Sequence, residues 1–316
     1  MAELHRSGPT CHNKLKNHLV FSMRLITCEY QQRPFLGVAR DDTAILPALA
    51  GEPLNDMLEL IAGGPGAWQS YQDLIPRLPS SCHVPLAQAR LLAPIPRPRK
   101  NILCLGLNYA DHAAESSAAR GREIGAPDHM VVFTKAVTSV TGPTDDIPYD
   151  NAVTSQLDWE VELAIIIGRP GRRIPLDQAM RHVFGYTVVN DLSARDLQFR
   201  HKQYFLGKSL DHCCPMGPWI VTADEISDPQ QLDLRCWVNG QLKQEGNTSQ
   251  QLFSIAATIA TLSRSMSLEA GDVIATGTPA GVGFARTPPE FLQPGDLVEC
   301  EVTDIGRLRN RIVRES

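Results

Sequence analysis

Apolar and polar residues alternate along much of this chain with the period of two that is typical of strands. Strand patterns occur at residues 24–27, 35–39, 43–46, 131–133, 161–167, 185–189, 219–221, 234–238, 273–276 and 297–302. Helical patterns occur at residues 55–61, 67–74, 176–183 and 254–265. Many short strands with scattered helices predict an α+β protein that is mainly β, rather than a regular alternation of strands and helices.

Proline marks a division of the chain into two parts. Residues 93–99 contain three prolines within five positions, a density that neither a helix nor a central strand accommodates. We therefore predict a Pro-rich linker there, between a small N-terminal β-rich domain at residues 21–92 and a main domain at residues 100–316. Residues 1–20 are polar and lack periodicity, so we expect a flexible N-terminus.

Composition and charge exclude several classes of partner. The chain has 316 residues, of which 43% are hydrophobic, and its 30 Lys and Arg against 35 Asp and Glu give a formal net charge of −5. An acidic chain without a basic block is a poor electrostatic match for nucleic acid or for an anionic membrane. No segment approaches the roughly 18 consecutive apolar residues of a membrane-spanning helix. We therefore expect neither a nucleic-acid partner nor a membrane partner.

The eight cysteines are scattered and form no CxxC pair. A zinc knuckle or a disulfide framework would cluster them, so their spacing favours reduced thiols. The N-terminus also lacks the apolar segment of a secretory signal. We expect a cytoplasmic protein, with a mitochondrial location as the alternative.

The strongest chemical signal is the segment DWEVEL at residues 158–163, which leads into an apolar strand. Because side chains alternate along a strand, Glu160 and Glu162 project from one face, while Trp159 and Val161 project from the other face toward a core. Neighbouring carboxylates repel each other, and a hard divalent cation such as Mg²⁺ removes that cost. The alternative is a solvated strand edge, where two glutamates are harmless.

A third oxygen ligand is available in Asp191, which closely follows the strand predicted at residues 185–189. Strand ends are suitable positions for ligation or catalysis. Two other interpretations stay open at this stage. Asp191 can cap the N-terminus of a following helical turn, and the nearby Arg195 and Asp196 can form an ordinary surface ion pair.

His112 and Glu115 are candidates for acid–base chemistry. If the chain is helical from Ala110 onward, their i, i+3 spacing brings the two side chains into contact. A carboxylate beside an imidazole fixes its tautomer and raises its basicity, as a general base acting on water requires. The HxxE spacing alone is weak support for such a dyad.

Two further segments carry candidate anion-binding groups. Lys208 lies in an apolar context between glycine and serine and could stabilise an oxyanion or enolate, although most lysines only solvate a surface. Residues 275–283, which include Gly277 and Thr278, predict a strand that ends in a Gly/Thr-rich loop. Such a loop exposes backbone N–H groups and a hydroxyl to a small carboxylate. It lacks the Gly-Lys-Ser/Thr sequence of a P-loop, and a rigid turn is the alternative.

Six blocks, taken in order, resemble the fumarylacetoacetate hydrolase superfamily. The blocks are GLNYADH ending at His112, FTK ending at Lys135, DWEVEL at residues 158–163, NDLSARDLQ at residues 190–198, GKS around Lys208, and TGTPAGVG at residues 276–283. The resemblance covers residues 100–313. The N-terminal module is similar to that of two-domain members of the type named fumarylacetoacetate hydrolase domain-containing protein 2.

The resemblance implies a catalytic domain of mixed β-sandwich roll form, a homodimer, and specific roles for individual residues. It implies a Mg²⁺ or Mn²⁺ ion, with Ca²⁺ as a further alternative, held by Glu160, Glu162 and Asp191. It identifies His112 and Glu115 as a water-activating dyad on a lid helix, and Lys208 as a lysine next to the metal. As contacts to the substrate it implies Gln198, Gly277, Thr278 and Lys135.

The activity that these expectations favour is metal-dependent hydrolysis of a C–C bond in an acylpyruvate or related β-diketo acid. The metal polarises the chelated 2-oxo acid, the dyad activates water, and the metal and Lys208 hold the departing enolate. Without a positioned water, the same enolate gains or loses a proton. The alternative is therefore keto–enol tautomerisation or decarboxylation of oxaloacetate. A third hypothesis, a fold relative that binds without catalysis, is disfavoured because every motif residue is retained.

Overall fold

The computed structural model describes residues 23–51, 56–121, 125 and 127–315. Its strands are β1 Arg24–Tyr30, β2 Arg33–Arg40, β3 Thr43–Ile45, β4 His83–Pro85, β5 Arg90–Leu91, β6 Ile102–Gly106, β7 Val131–Lys135, β8 Val140–Thr141, β9 Ile147–Tyr149, β10 Leu157–Asp158, β11 Val161–Ile167, β12 Val183–Asn190, β13 Ser193–Ala194, β14 Cys214–Thr222, β15 Asp233–Val238, β16 Gln241–Asn247, β17 Val273–Ala275, β18 Leu297–Val302 and β19 Gly306–Arg314. The predicted flexible N-terminus, residues 1–20, lies outside the described residues.

Helices are fewer and short. The α-helices are α1 Met57–Ala62, α2 Gly64–Leu74, α3 Ala110–Arg120, α4 Arg195–Arg200, α5 Phe205–Lys208 and α6 Ile255–Ser265. Single 3₁₀ turns occur at Pro47–Ala50, Ile75–Arg77, Ser80–Cys82, Leu86–Gln88, Val137–Ser139, Ala223–Glu225, Thr248–Gln250 and Gly283–Ala285. A longer 3₁₀ segment at Leu176–His182 replaces the helix predicted at residues 176–183. None of the helices in the described part of the chain is both long and apolar enough to cross a membrane.

The strands form two large sheets and a small one. The largest runs in the order β4-β3-β2-β1-β14-β12-β11-β17-β6-β7, with β5 added to β1 and β8 added to β14. A second sheet has the order β16-β15-β18-β19-β9, and β10 pairs with β13 alone. Most pairings are antiparallel, and this mainly-β α+β architecture confirms the fold class expected from the sequence.

Strand β11 occupies the centre of the molecule and is buried on both faces. Its odd-numbered residues, such as Leu163 and Ile165, belong to a core shared with the second sheet and with α6. Its even-numbered residues Ala164 and Ile166 belong to another core that includes residues of α1 and α2. Its antiparallel pairings with β12 and β17 set its register, which fixes the positions of the polar residues at its start.

The proline-rich stretch at residues 93–99 carries neither helix nor strand, in agreement with its composition. It is nevertheless packed: Ile95 is fully buried, and the Pro94 carbonyl accepts a hydrogen bond of 2.7 Å from the Thr27 hydroxyl. Strands from both sides of this stretch belong to one sheet, because β1 pairs with β14. The division into domains at residues 21–92 and 100–316 stays a prediction.

Candidate active site

Strands β11 and β12 bring three carboxylates together. Val161 pairs with Asn190 across the two strands, and the backbone N–H of Asp191 donates to the Glu160 carbonyl at 2.9 Å. Glu160 precedes β11, Glu162 lies within it, and Asp191 follows β12. One carboxylate oxygen from each of these three residues lies within 4.8 Å of the others, and all three residues are buried. The solvated strand edge is therefore wrong, and the acidic cluster is a candidate cation site.

Three buried cations surround this cluster. Lys208 Nζ lies 2.6 Å from Glu160 Oε2 and 2.8 Å from Asp191 Oδ2. Lys135 Nζ lies 2.7 Å from Asp191 Oδ1. Arg195 Nη2 lies 2.7 Å from Glu160 Oε1. Burial by itself raises the pKa of Glu160, but the charges of Lys208 and Arg195 outweigh it and hold that pKa below its usual range.

Glu162 is the carboxylate without a cationic partner among the described residues. Its Oε2 accepts the backbone N–H of Gly277 at 2.7 Å. Burial, together with the charges of Asp191 and Glu160, raises the pKa of Glu162 well above its usual value. The side chain therefore requires either a proton or a cation.

Counting charges shows what kind of ion fits. Within the described part of the chain, the site contains four buried carboxylates: Asp158, Glu160, Glu162 and Asp191. Three cations face them: Lys135, Arg195 and Lys208. With all these groups ionised, the net charge of the site is 3 − 4, or −1. The free donors are carboxylate oxygens, the ligands that Mg²⁺ and Mn²⁺ prefer. A divalent cation that takes oxygen ligands therefore fits Glu160, Glu162 and Asp191 in both charge and chemistry.

Helix α3 places the predicted dyad over this cluster. His112 Nδ1 lies 2.8 Å from Glu115 Oε1, and the other oxygen of Glu115 accepts the Gly281 N–H at 2.8 Å. The start of the helix is anchored because Asn108, buried beneath it, donates to the Thr276 carbonyl at 2.8 Å. The pairing of Glu115 with Nδ1 leaves Nε2 as the imidazole nitrogen that can exchange a proton with a ligand.

His112 of the dyad, together with Glu160 and Glu162 of the acidic cluster, lines one cavity of about 40 Å³. His112, Glu160, Glu162 and Lys208 form its polar wall. The aromatic part of the wall consists of Phe133, Phe199, Tyr204 and Phe284. A small cavity with a few polar groups and aromatic walls is typical of a site for a small organic anion.

Two of the predicted substrate contacts line the cavity. Gln198 lies in its wall, where its Oε1 accepts from Arg195 Nη1 at 2.9 Å. Thr278 also lines it, but its hydroxyl already donates to the Val161 carbonyl at 2.9 Å and accepts from Gln244 Nε2 at 2.8 Å. A direct substrate contact stays a prediction for both residues.

The other two predicted contacts, Gly277 and Lys135, hydrogen-bond to the carboxylates of the cluster. Gly277 donates its N–H to Glu162, so the anion that this loop binds in the structure is a carboxylate of the protein. Lys135 is fully buried and donates to Asp191 and to the Leu192 carbonyl at 3.0 Å. Neither residue lines the cavity. A direct substrate contact stays a prediction for these two residues as well.

The other sequence interpretations of this region were wrong. Arg195 is 2% exposed and binds Asp158 at 2.8 Å, while Asp196 accepts from the Thr154 hydroxyl at 2.6 Å, so the two do not form a surface pair. Asp191 does not cap a helix, because the N-cap of α4 is Ala194.

Sequence reasoning missed Asp158 and Gln244 as parts of the site. Asp158 accepts from Arg195 and from the backbone N–H groups of Gly283 and Phe284, so it orders the loop that closes one end of the cavity. The sequence feature that could have identified Asp158 is its position as the first residue of the DWEVEL block. Gln244 lies in the polar strand β16, where no pattern distinguishes it from its neighbours.

A family model described as Fumarylacetoacetate (FAA) hydrolase C-terminal matches residues 101–313. This chain belongs to the fumarylacetoacetate hydrolase family. Within the family, oxaloacetate tautomerase YisK from Bacillus subtilis is 45% identical over 92% of this chain and 100% of its own length. The mitochondrial oxaloacetate tautomerase fahd2 from Xenopus laevis is 43% identical over 92% of this chain and 91% of its own. Both similarities agree with the resemblance noted in the sequence.

A solved structure is similar to this chain over nearly its whole length. It is maleylpyruvate hydrolase from Sphingobium sp. SYK-6 in complex with manganese(II) ion and pyruvate. The TM-score is 0.74 at 31% identity, covering 93% of this chain and 100% of the other. This structurally similar enzyme therefore holds a divalent metal together with a small 2-oxo acid.

Proposed function

We propose that this protein is a divalent-metal-dependent oxaloacetate keto–enol tautomerase. The observation that carries the proposal is the shared cavity, in which the imidazole of His112 lies opposite a carboxylate cluster that is one positive charge short. Two relatives with identity above 40% over most of the chain are named oxaloacetate tautomerases. C–C hydrolysis, the main interpretation of the sequence, has support at the level of the family, so the alternative becomes the better-supported activity.

Glu160, Glu162 and Asp191 would hold Mg²⁺ or Mn²⁺ in this proposal. When bound there, such an ion acts as a Lewis acid that acidifies the C–H group next to a 2-oxo carbonyl. The protein supplies the groups that move the proton. Tautomerisation removes a proton from C3 of oxaloacetate and adds one to the oxygen on C2, so it needs a base near the carbon and a donor near the oxygen.

His112 is the residue suited to take the C3 proton. Glu115 holds Nδ1 at 2.8 Å and would stabilise the imidazolium that forms after Nε2 accepts the proton. Glu115 is itself held by the N–H of Gly281 at 2.8 Å, so the ring cannot turn away freely. The dyad therefore keeps a basic nitrogen directed at the ligand without requiring a water molecule.

Lys208 is the residue suited to the oxygen on C2. Its ammonium has three N–H groups, and Glu160 and Asp191 accept two of them. The third is available to an enolate oxygen in the cavity that Lys208 lines. A fixed cation beside a developing negative charge lowers the barrier to enolisation.

The test is the interconversion of enol and keto oxaloacetate by the Mg²⁺-loaded protein, followed by the ultraviolet absorbance of the enol. We expect acceleration over buffer with Mg²⁺ alone, loss of activity with a chelator, and a drop of about 100-fold or more in kcat for His112→Asn. His83→Asn, at an exposed position of strand β4, is the matched control and should keep full activity. Wild-type protein that does not accelerate the exchange would overturn the proposal.

Hydrolysis of a β-diketo acid is the second candidate, because a His–Glu dyad also suits the activation of water. Proton NMR of the protein with Mg²⁺ and acetylpyruvate separates the two activities, since hydrolysis releases acetate and pyruvate. We expect acetylpyruvate to stay intact while oxaloacetate exchanges. Release of acetate without oxaloacetate exchange would establish the hydrolase instead. The homodimer implied by the resemblance stays a prediction that light scattering tests.

A further inference from the structure

Three cationic side chains line the cavity within the described part of the chain: Arg120, Arg195 and Lys208. Arg195 and Lys208 are committed to buried carboxylates. Arg120 differs, because it forms no ion pair with an acidic side chain among the described residues. Its guanidinium lies instead over the ring of Phe199, 4.6 Å from the ring centre.

This stacking makes Arg120 a prepared anion-binding group. A guanidinium on an aromatic face is held in place by the cation–π contact, while its edge keeps N–H donors free in the planar arrangement that matches a carboxylate. Phe199 is 37% exposed, and its ring is in edge contact with Phe284 at 5.2 Å between ring centres.

The position of Arg120 on helix α3 relates it to the reacting end of the site. Arg120 is the last residue of the helix that carries His112, and eight residues of helix rise by about 12 Å. Helical side chains lean toward the N-terminus of their helix, which directs the long arginine side chain back toward His112. One helix therefore supplies to the same cavity both the proton-transfer group His112 and Arg120, a cation without an acidic partner among the described residues.

Charge balance shows why this second cation matters for a particular substrate class. The buried cluster carries −1, and a bound divalent cation would bring it to +1. The carboxylate next to the 2-oxo group of a substrate balances that charge. A second carboxylate on the same substrate would then enter the cavity without a counter-charge, unless Arg120 supplies it.

We propose that Arg120 binds the distal carboxylate of a 2-oxo dicarboxylate, and so makes the site select dianionic over monoanionic 2-oxo acids. This inference rests on the proposed function for the identity of the substrate, and it names the residue that sets its charge class. In this role Arg120 determines specificity, while the proton transfer belongs to His112.

The kinetic test compares oxaloacetate with its 4-methyl ester, which lacks the distal charge. Arg120→Gln should raise KM for oxaloacetate by about 10- to 100-fold, with kcat changed less than about threefold, because one charge-assisted contact is lost. KM for the ester should stay within about twofold. Arg120→Lys should restore part of the affinity. Arg200→Gln, at the exposed end of α4, removes the same charge outside the cavity and should leave both substrates unaffected.

A binding experiment keeps this inference separate from the proposed function. Calorimetry measures the affinity of the Mg²⁺-loaded protein for two ligands without any turnover. The ligands are malate, which is a dianion, and 2-hydroxybutyrate, which is a monoanion. We expect wild type to prefer malate and Arg120→Gln to lose that preference. If wild type does not enolise oxaloacetate but shows the Arg120-dependent preference, the proposed function fails and this inference stands. Equal weakening of both ligands in Arg120→Gln, or the same effect in Arg200→Gln, would overturn it.

Discussion

Gln244→Met is the substitution that best tests how the acidic cluster is held in place. Gln244 is 1% exposed and bridges two segments of the site. Its Oε1 accepts the Val161 N–H at 3.0 Å, and its Nε2 donates to the Thr278 hydroxyl and to the Pro279 carbonyl, each at 2.8 Å. Val161 is the residue between Glu160 and Glu162, so this amide fixes the peptide that carries both carboxylates.

The expected loss of stability follows from those three contacts. Each buried hydrogen bond contributes about 1 kcal/mol net, and methionine leaves the Val161 N–H and the Pro279 carbonyl buried without this partner. Methionine has a similar length and gains about 1 kcal/mol from its apolar surface. We expect the free energy of unfolding to fall by about 2–4 kcal/mol, given the cost of the stranded backbone groups.

The assay has two parts. Urea denaturation of metal-free protein measures stability, with Gln241→Met, exposed on the same strand β16, as a control that should change it by less than about 0.5 kcal/mol. Calorimetric titration with Mn²⁺ measures whether the displaced peptide weakens the cation site, by about tenfold or more. Unchanged unfolding in Gln244→Met would refute the stability reasoning. Reduced stability with unchanged Mn²⁺ affinity would show that the amide does not position the carboxylates.

Three further predictions test burial and charge elsewhere. Glu162→Gln keeps the acceptor for the Gly277 N–H but removes an uncompensated buried charge. The metal-free variant should therefore be more stable than wild type by about 1–2 kcal/mol. Because the variant lacks one carboxylate ligand, Mg²⁺ should no longer raise its melting temperature in differential scanning fluorimetry. The Tyr71 hydroxyl is buried without a hydrogen-bond partner among the described residues, so Tyr71→Phe should raise stability in urea by about 1 kcal/mol, and a loss would reveal a missed contact. Burial raises the pKa of the Cys28, Cys213 and Cys214 thiols to about 12, so mass spectrometry should find them unalkylated by iodoacetamide at pH 8 until the protein unfolds.

The parts of the site that sequence could predict are those governed by local geometry. Side chains alternate along any strand, so Glu160 and Glu162 had to share a face once the apolar run after them was recognised as β11. The i, i+3 spacing in a helix similarly fixes the contact between His112 and Glu115, now measured at 2.8 Å. Asp191 joined them because the antiparallel register sets the end of β12 beside the start of β11.

The parts that sequence could not predict depend on which distant segments meet. A pairing of Arg195 with its neighbour Asp196 was one interpretation of the sequence, yet its carboxylate partners in the structure are Glu160 and Asp158, the latter 37 positions away. Gln244 is 83 positions from the peptide that it holds. Periodicity reports which face a residue occupies, but not which side chain from another strand occupies the space opposite. Such pairs require the three-dimensional fold.

The proline-rich stretch shows the same limit for packing. Three prolines exclude regular structure at residues 93–99, and the structure has none there. Composition alone suggests an exposed connector, whereas Ala93, Pro94 and Ile95 are all buried, beside a sheet that continues across the stretch. Proline restricts backbone conformation and lacks a backbone N–H donor, but its ring is apolar. A core can therefore bury a proline when its carbonyl accepts a hydrogen bond, as the Pro94 carbonyl does from the Thr27 hydroxyl.

The charge arrangement of the site links its stability to its function. Burying four carboxylates is tolerable because three cations neutralise most of their charge. Removing Arg195 would leave Asp158 without a cationic partner among the described residues, at a cost of several kcal/mol. The same three cations cannot satisfy Glu162, and that remaining charge is what a divalent ion would neutralise. Full neutralisation by the protein would give a more stable fold with no attraction for a metal. The deficit of one positive charge is therefore the property on which the proposed activity depends.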